Sequence, residues 1–414
     1  MSEAASVLPR DPYSVPLDQI DMSLADLYQQ NLHWTYFERL RKEDPVHYCA
    51  NSPFGPYWSI TKFDDILHVD KNHGIFSSEP AITIGDFAED FETPNFIVMD
   101  PPDHDVRRRT VTPGVSPSTL ADLEPVIRQR AGKILDELPV GETFDWVDKV
   151  SIELTTQMLA TLFDFPFEDR HLLPYWSDIM MTSEDLTGSA QINEEERREI
   201  MLDCVAYFER LWKERAAQPP RNDFISLLAH GEHTKNMDRM EFLGTLFLLI
   251  VGGNDTTRNS ISGGVVALND NPDQYQKLRD NPGLIPSMVS EIIRYQTPLT
   301  HMRRTATQDT VLRGKKISAG DKVVMWYASG NRDEEIIDNP NIFNIERDNA
   351  RHHLSFGFGI HRCMGNRLAE MQLRTVWEEI TNRFHTVEMV GEPVLVHSNF
   401  VKGIAELPVI VHAV

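Results

Sequence analysis

The run Phe356-Gly357-Phe358-Gly359-Ile360-His361-Arg362-Cys363-Met364-Gly365 constrains this chain more than any other stretch. Glycines at 357 and 359 permit turns that a side chain would hinder, and let the backbone come close to a flat partner. From Gly365 the residues turn helical, through Asn366-Arg367-Leu368-Ala369-Glu370-Met371-Gln372-Leu373 to Val376 and Ile380. A cysteine just ahead of a helix start meets unpaired amide N–H groups and the positive dipole end, which favour a thiolate. The loop therefore predicts one sulfur anion offered to a metal, with Phe356 and glycine backbone around it. The bland alternative is a small buried hydrophobe, the usual state of a lone cysteine. A zinc site from His352, His353, His361 and Cys363 is the other competitor, and it lacks the paired short spacings of zinc ligands.

The second constraint is the apolar stretch Asp238 to Leu268, with Phe242, Leu243, Leu246, Phe247, Leu248, Leu249, Ile250 and Val251 in its first half. Polar residues break it too often for a membrane span, so it reads as a central buried helix. Gly252-Gly253-Asn254-Asp255-Thr256-Thr257 stands in its middle. Two glycines inside a helix cost roughly 1 kcal/mol each relative to alanine, and an aspartate ordinarily avoids burial. One explanation is a kink or close helix packing. The other is a local opening that makes room for a small molecule.

The remaining segments supply class more than chemistry. Val46-His47-Tyr48-Cys49 and Tyr57-Trp58-Ser59-Ile60-Thr61 read as strands around the turn-rich Asn51–Pro56, and a helix follows from Phe63. Glu79 to Val98 shows no sustained period. The prolines of Met99-Asp100-Pro101-Pro102 fit a helix start that places His104 and Arg108 on one face at i and i+4. Leu120 to Arg215 is helical in period, with breaks near Leu138-Pro139, Phe165-Pro166-Phe167 and Asp185–Gly188. Glu194-Glu195-Glu196-Arg197-Arg198 reads as a solvated face, and Asn222 as a cap for the helix that follows. Glu291 and Arg294 share a helix face at i,i+3, a spacing usually found in weak surface pairs. Val323 to Tyr327 reads as a buried strand, and Val394–Val396 with Leu407–Val411 as a last β portion.

A formal net charge of −23 disfavours a general role in binding nucleic acid or anionic lipid. The three cysteines, Cys49, Cys204 and Cys363, are too scattered for a disulfide framework, which fits a reducing cytoplasm. The first residues show no apolar run or cleavable signal, and no uninterrupted apolar run reaches about eighteen residues.

Together the pattern F-G-x-G-x-H-x-C-x-G, the Gly253-x-Asp255-Thr256 segment, Glu291-x-x-Arg294 and His104-x-x-x-Arg108 resemble, in order, the motifs of cytochromes P450. The resemblance spans nearly the whole chain. It implies one domain over 1–414, mainly α with a small β portion, of the type without a membrane anchor found in the bacterial cytoplasm. It implies haem b (iron protoporphyrin IX) with Cys363 as axial ligand, in the class of thiolate-ligated haem. By the same resemblance Phe356 and Gly365 flank the haem, and His104, Arg108, Arg304 and His361 meet its propionates. Glu291 and Arg294 would support the cysteine loop structurally. Thr256 and Asp255 would deliver protons during O₂ cleavage, and Glu79–Val98 would roof the substrate pocket.

Finer features, including Gly253–Ser260, Met325–Asp333 and Ser398–Gly403, resemble the bacterial terminal alkane and fatty-acid hydroxylases. The implied reaction inserts one oxygen atom from O₂ into a terminal C–H bond, the other atom leaving as water. A terminal methyl C–H is stronger than its neighbours, so the pocket must restrict which carbon reacts. A narrow apolar channel lined by Ile82, Ile97, Leu248, Val251, Leu299, Met302 and Phe400 is expected. Oxidation of a sterol side chain or branched lipid is the alternative within the enzyme class. A thiolate-haem sensor without turnover is the alternative outside it, and the Asp255–Thr256 pair argues against both that and a peroxide-driven enzyme. The chain has no flavin or iron–sulfur motif, so electrons are expected from a 2Fe-2S ferredoxin with its NAD(P)H-dependent reductase. Arg107, Arg109, Arg351 and Arg367 are the expected docking cations.

Overall fold

The computed structural model describes residues 8–86, 91–182 and 192–414. The two early strands form as expected, Val46–Cys49 pairing antiparallel with Tyr57–Ile60. They belong to a five-stranded sheet that continues through Lys322–Met325 and Met302–Ala306 to Phe76–Ser77. Tyr57–Ile60 runs parallel to Lys322–Met325, which is possible because most of the chain lies between them. The strand expected to reach Tyr327 stops at Met325, and Tyr327–Gly330 turns into a helical segment. That early turn brings Tyr327 to the wall of the central slot described below. The C-terminal strand Pro408–Ala413 pairs with both Phe384–Met389 and Phe144–Asp145.

Helices make up the rest, and the longest is Arg239–Asp270. Asp238 caps it, its carboxylate accepting from the N–H groups of Met240 and Glu241. The helix joins two apolar clusters. Phe242, Leu243, Leu246, Leu249 and Ile250 pack in one with Leu159 and Phe208, while Ile261, Val265 and Leu268 pack in another with Ile292 and Trp377. The polar, glycine-containing middle falls between the two clusters. The helix Phe224–His230 is capped by Asp223, whose carboxylate accepts from the Ser226 N–H, and not by Asn222 as the sequence suggested. Of the expected breaks, Asp185–Gly188 lies outside the described residues, as does Phe87 of the Glu79–Val98 segment. No helix among the described residues is long and apolar enough to cross a membrane.

The Glu291–Arg294 pair is fully buried on the helix Ile285–Gln296, contrary to the usual surface location of that spacing. Arg294 donates to both Glu291 carboxylate oxygens, at 2.7 and 2.8 Å, and to the carbonyls of Asn331 and Pro340, both at 2.9 Å. Arg347 Nε and the Asn344 N–H complete the acceptor capacity of Glu291, each at 3.0 Å. Buried charges persist only when so fully paired. The pair thus pins the irregular chain from Asn331 to Arg347, and Asn331 in turn accepts from Leu354 N at 2.6 Å, just ahead of the cysteine loop.

Candidate active site

Cys363 lies just before the helix Asn366–Arg383, at one wall of a slot. Its N–H donates to the Phe356 carbonyl at 2.8 Å, closing the loop on itself. The accessible surface of Cys363 faces the slot, while the surrounding protein pushes its thiol pKa up. The Gly365 N–H and the guanidiniums of Arg108 and Arg362 work in the opposite direction without outweighing burial. Phe356, Gly365 and Leu368 share this wall.

The opposite wall is the middle of the Arg239–Asp270 helix: Leu248, Gly252, Gly253, Thr256 and Thr257. The two glycines there do different things. A Cβ at Gly253 would strike Leu159 at 2.8 Å, whereas one at Gly252 would meet nothing within 4 Å. Close helix packing explains the first glycine, and room beside the slot is what the second one leaves. The helix is not locally opened as expected. It stays α-helical throughout, and the Thr256 hydroxyl donates to the Gly252 carbonyl at 3.2 Å.

One end of the slot carries Arg108, Arg304 and His361. Of the two adjacent arginines, Arg304 lines the slot and Arg303 does not. Arg303 turns to the Gly85 carbonyl (3.2 Å) and Asp86 (2.6 Å), while Arg304 reaches Asp70 at 2.8 Å and lines the slot. His104 does not line the slot itself but packs edge-on against His361, ring centroids 4.5 Å apart. Nδ1 and Nε2 of His361, and Nε2 of His104, are buried without a partner. Burial first, then the positive charge of Arg304, His104 and Arg108, pushes the His361 pKa down to about 2. Such crowding of basic groups around unpaired donors fits an anionic ligand.

A larger cavity of about 570 Å³ adjoins the slot, sharing Ile97, Leu248, Gly252, Thr256, Leu299 and Met302 with it. The structure brings Ile82, Ile97, Leu248, Val251, Leu299, Met302 and Phe400 together in its lining. An isolated bridge between Leu299 and Val401 holds the Phe400 turn against this wall. Sequence reasoning missed Met180, Met181, Met201 and Phe247, which also line it, because no motif or spacing distinguishes them from core residues. It also took Arg197 for part of a solvated face. Arg197 is buried, chelated by Glu194 at 2.7 Å, and lines the cavity mouth.

Asp255 is buried beside the cavity, but its carboxylate turns sideways rather than toward Thr256. It accepts from the Ser177 hydroxyl at 2.8 Å and pairs with Arg258 at 2.6 Å, and Arg258 also holds Asp178 at 2.9 Å. Burial raises the Asp255 pKa and outweighs the opposing effect of Arg258. A carboxyl poised above its ordinary range, linked outward through Arg258 to the exposed Asp178, can take up and pass on protons.

Fold and site together define an oxygen-activating, cysteine-ligated cofactor protein: a flat slot, sulfur on one face, a threonine and open helix surface on the other, and a basic end. The cytochrome P450 family model matches residues 19–282 and 283–405. Linalool 8-monooxygenase of Pseudomonas putida is 34% identical over 406 residues, covering 95% of this chain and 99% of that protein. A methyl-branched lipid omega-hydroxylase of Mycobacterium tuberculosis is 32% identical, covering 96% of each. Among solved structures, cytochrome P450-153 from Novosphingobium aromaticivorans is 46% identical, with a TM-score of 0.89, over 95% of this chain and 99% of that one. CYP153D17 from a Sphingomonas species is 47% identical, with a TM-score of 0.91, over 96% and 100%. The chain belongs to the cytochrome P450 family and is a haem-thiolate monooxygenase.

Proposed function

We propose that this protein hydroxylates the terminal carbon of a medium-chain alkyl substrate, an alkane or fatty acid, acting as one unit over the whole chain. The observation that carries the reading is the junction of the two cavities: the apolar lining of the larger one meets the slot that holds Cys363 at Ile97, Leu248, Gly252, Thr256, Leu299 and Met302. The similarity to a methyl-branched lipid omega-hydroxylase supports the same regiochemistry.

Haem b would be held by the Cys363 thiolate, with Arg108, Arg304 and His361 placed to meet its propionates and His104 bracing His361. When bound, the haem supplies the iron at which O₂ is reduced and split, one oxygen atom entering the substrate and the other leaving as water. The chain's own residues do the rest. Ile82, Ile97, Val251, Leu299, Met302 and Phe400 exclude water and hold the alkyl chain end-on, so that its terminal methyl is the carbon presented. The Thr256 hydroxyl, free to leave the Gly252 carbonyl, donates toward the slot. Asp255 resupplies that proton from Asp178 and solvent by swinging out of its Arg258 pair. Phe356 and the backbone around Gly365 keep water from the sulfur. Electrons arrive from a 2Fe-2S ferredoxin and its NAD(P)H-dependent reductase.

A second reading, attack on the end of a branched or steroid side chain, is favoured by the omega-hydroxylase and by steroid C26-monooxygenase relatives at 31% identity. It differs in substrate bulk, not in the carbon attacked. Titrating dodecane, dodecanoate and a sterol against the Soret band, followed by product analysis, tests both. A terminal alcohol from dodecane or dodecanoate supports the first reading. Turnover of the sterol alone supports the second, and only subterminal alcohols would contradict both.

A further inference from the structure

Asp70, near the end of the helix Phe63–Lys71, belongs to none of the motifs above, yet it touches two separate arms of the slot. Its side chain is almost wholly buried. Oδ1 accepts from Arg304 Nη2 at 2.8 Å; Oδ2 accepts from the Phe358 N–H at 2.7 Å and from the Tyr327 hydroxyl at 3.1 Å. Arg304 and Tyr327 line the slot, and Phe358 lies inside the cysteine loop.

The loop is shaped around this aspartate. Gly357 and Gly359 both adopt left-handed backbone, with φ of +61° and +66°. A Cβ on Gly359 would lie 2.2 Å from the Asp70 carbonyl oxygen, and one on Gly357 would crowd Oδ2 at 3.3 Å. Both glycines therefore pack closely on Asp70, and Gly357 also lines the slot. Fixed dihedrals, close backbone approach and full burial make one rigid joint.

We propose that Asp70 is a positioning residue that locks the propionate-binding arm (Arg304) to the thiolate-presenting loop and neutralises the Arg304 charge beside the haem. This rests on the haem-thiolate reading above. A buried carboxylate next to a guanidinium leaves the pair close to neutral, whereas either partner alone leaves a full charge in a low-dielectric wall. An uncompensated positive charge favours the more electron-rich, reduced haem; an uncompensated negative charge favours the oxidised one.

The test uses the haem-loaded protein and measures the midpoint potential of Asp70→Asn, Arg304→Gln and the double variant, together with the rate of haem loss. The carbon-monoxide spectrum of the unaltered protein is read first; it tests thiolate ligation separately from the role of Asp70. Asp70→Asn should raise the potential and speed haem loss by about tenfold, since a buried charged hydrogen bond is lost. Arg304→Gln should lower the potential, and the double variant should return toward the unaltered value. A purely structural role predicts a loss of thermal stability with the potential unchanged, or shifts of the same sign in both single variants; either result overturns the proposal. Should Asp70→Asn fail to fold, Arg304→Gln still decides: a lowered potential supports the charge pairing, and an unchanged or raised one overturns it.

Discussion

Thr256 and Asp255 are neighbours in sequence but face different surroundings. The threonine borders both cavities, while the carboxylate is locked sideways between Ser177 and Arg258. That division of labour gives separable outcomes. Thr256→Ala should keep substrate binding but let more O₂ end as peroxide or water than as alcohol, which simultaneous O₂-uptake and product measurements would reveal. Asp255→Asn should slow turnover by about a hundredfold, in the range of one general acid–base group, and enlarge the solvent isotope effect. Equal coupling in Thr256→Ala would remove the threonine from proton delivery. At this scale the sequence pointed to Thr256 and Asp255, but not to the direction of the Asp255 side chain. Its partner Arg258 is next to the motif, yet Ser177 and Asp178 come from a helix seventy-odd positions earlier, and no local spacing announces that contact.

The helices show why some elements were legible and others were not. The apolar stretch from Asp238 to Leu268 gave the helix Arg239–Asp270 almost to its ends, since apolar content is a local signal. The reason for each glycine within it was not legible, because Gly253 answers to Leu159 on another helix and Gly252 to empty space. For the same reason the burial of Glu291 and Arg294 could not be read from their spacing; it depends on carbonyls contributed by the chain from Asn331 to Ile342. Glu291→Gln leaves Arg294 and Arg347 without their carboxylate in the interior. It should destabilise the fold by about 3 kcal/mol, measured by chemical denaturation of the haem-loaded protein. A change below about 0.5 kcal/mol would be that of a surface pair. On the facing wall, Leu248→Ala and Phe400→Ala should each raise the share of subterminal alcohol, since both shorten the apolar lining. Unchanged product ratios in both variants would contradict the end-on account.

Across the whole molecule the net charge is −23, so docking of an acidic partner would rest on local cations. Arg109, Arg351 and Arg367 are exposed, as is Arg362, with Arg351 held by Glu370 at 3.1 Å. Arg107 drops out of the expected docking set, because it is turned inward to Glu241 and Asp103. Turnover driven by an acidic ferredoxin should therefore fall as salt rises through the range where the screening length shrinks below about 10 Å. No salt dependence would exclude charge-guided docking at this face. The mainly α layout with its small β portion and the ordered motifs were legible from the sequence because each rests on residues close in the chain. The closing of the cavity was not, since Met180, Met201 and Arg197 reach it from helices whose own pattern says only that they pack. On the proposed reading, all of these features would serve a single bond from the Cys363 sulfur to haem iron. The most direct measurement is the absorption spectrum of the dithionite-reduced protein under carbon monoxide, beside that of Cys363→Ala. The account predicts the strongly red-shifted Soret band of thiolate-ligated haem in the first and its loss, with loss of hydroxylation, in the second. A native protein without that band, or a Cys363→Ala protein that still hydroxylates at full rate, would contradict it.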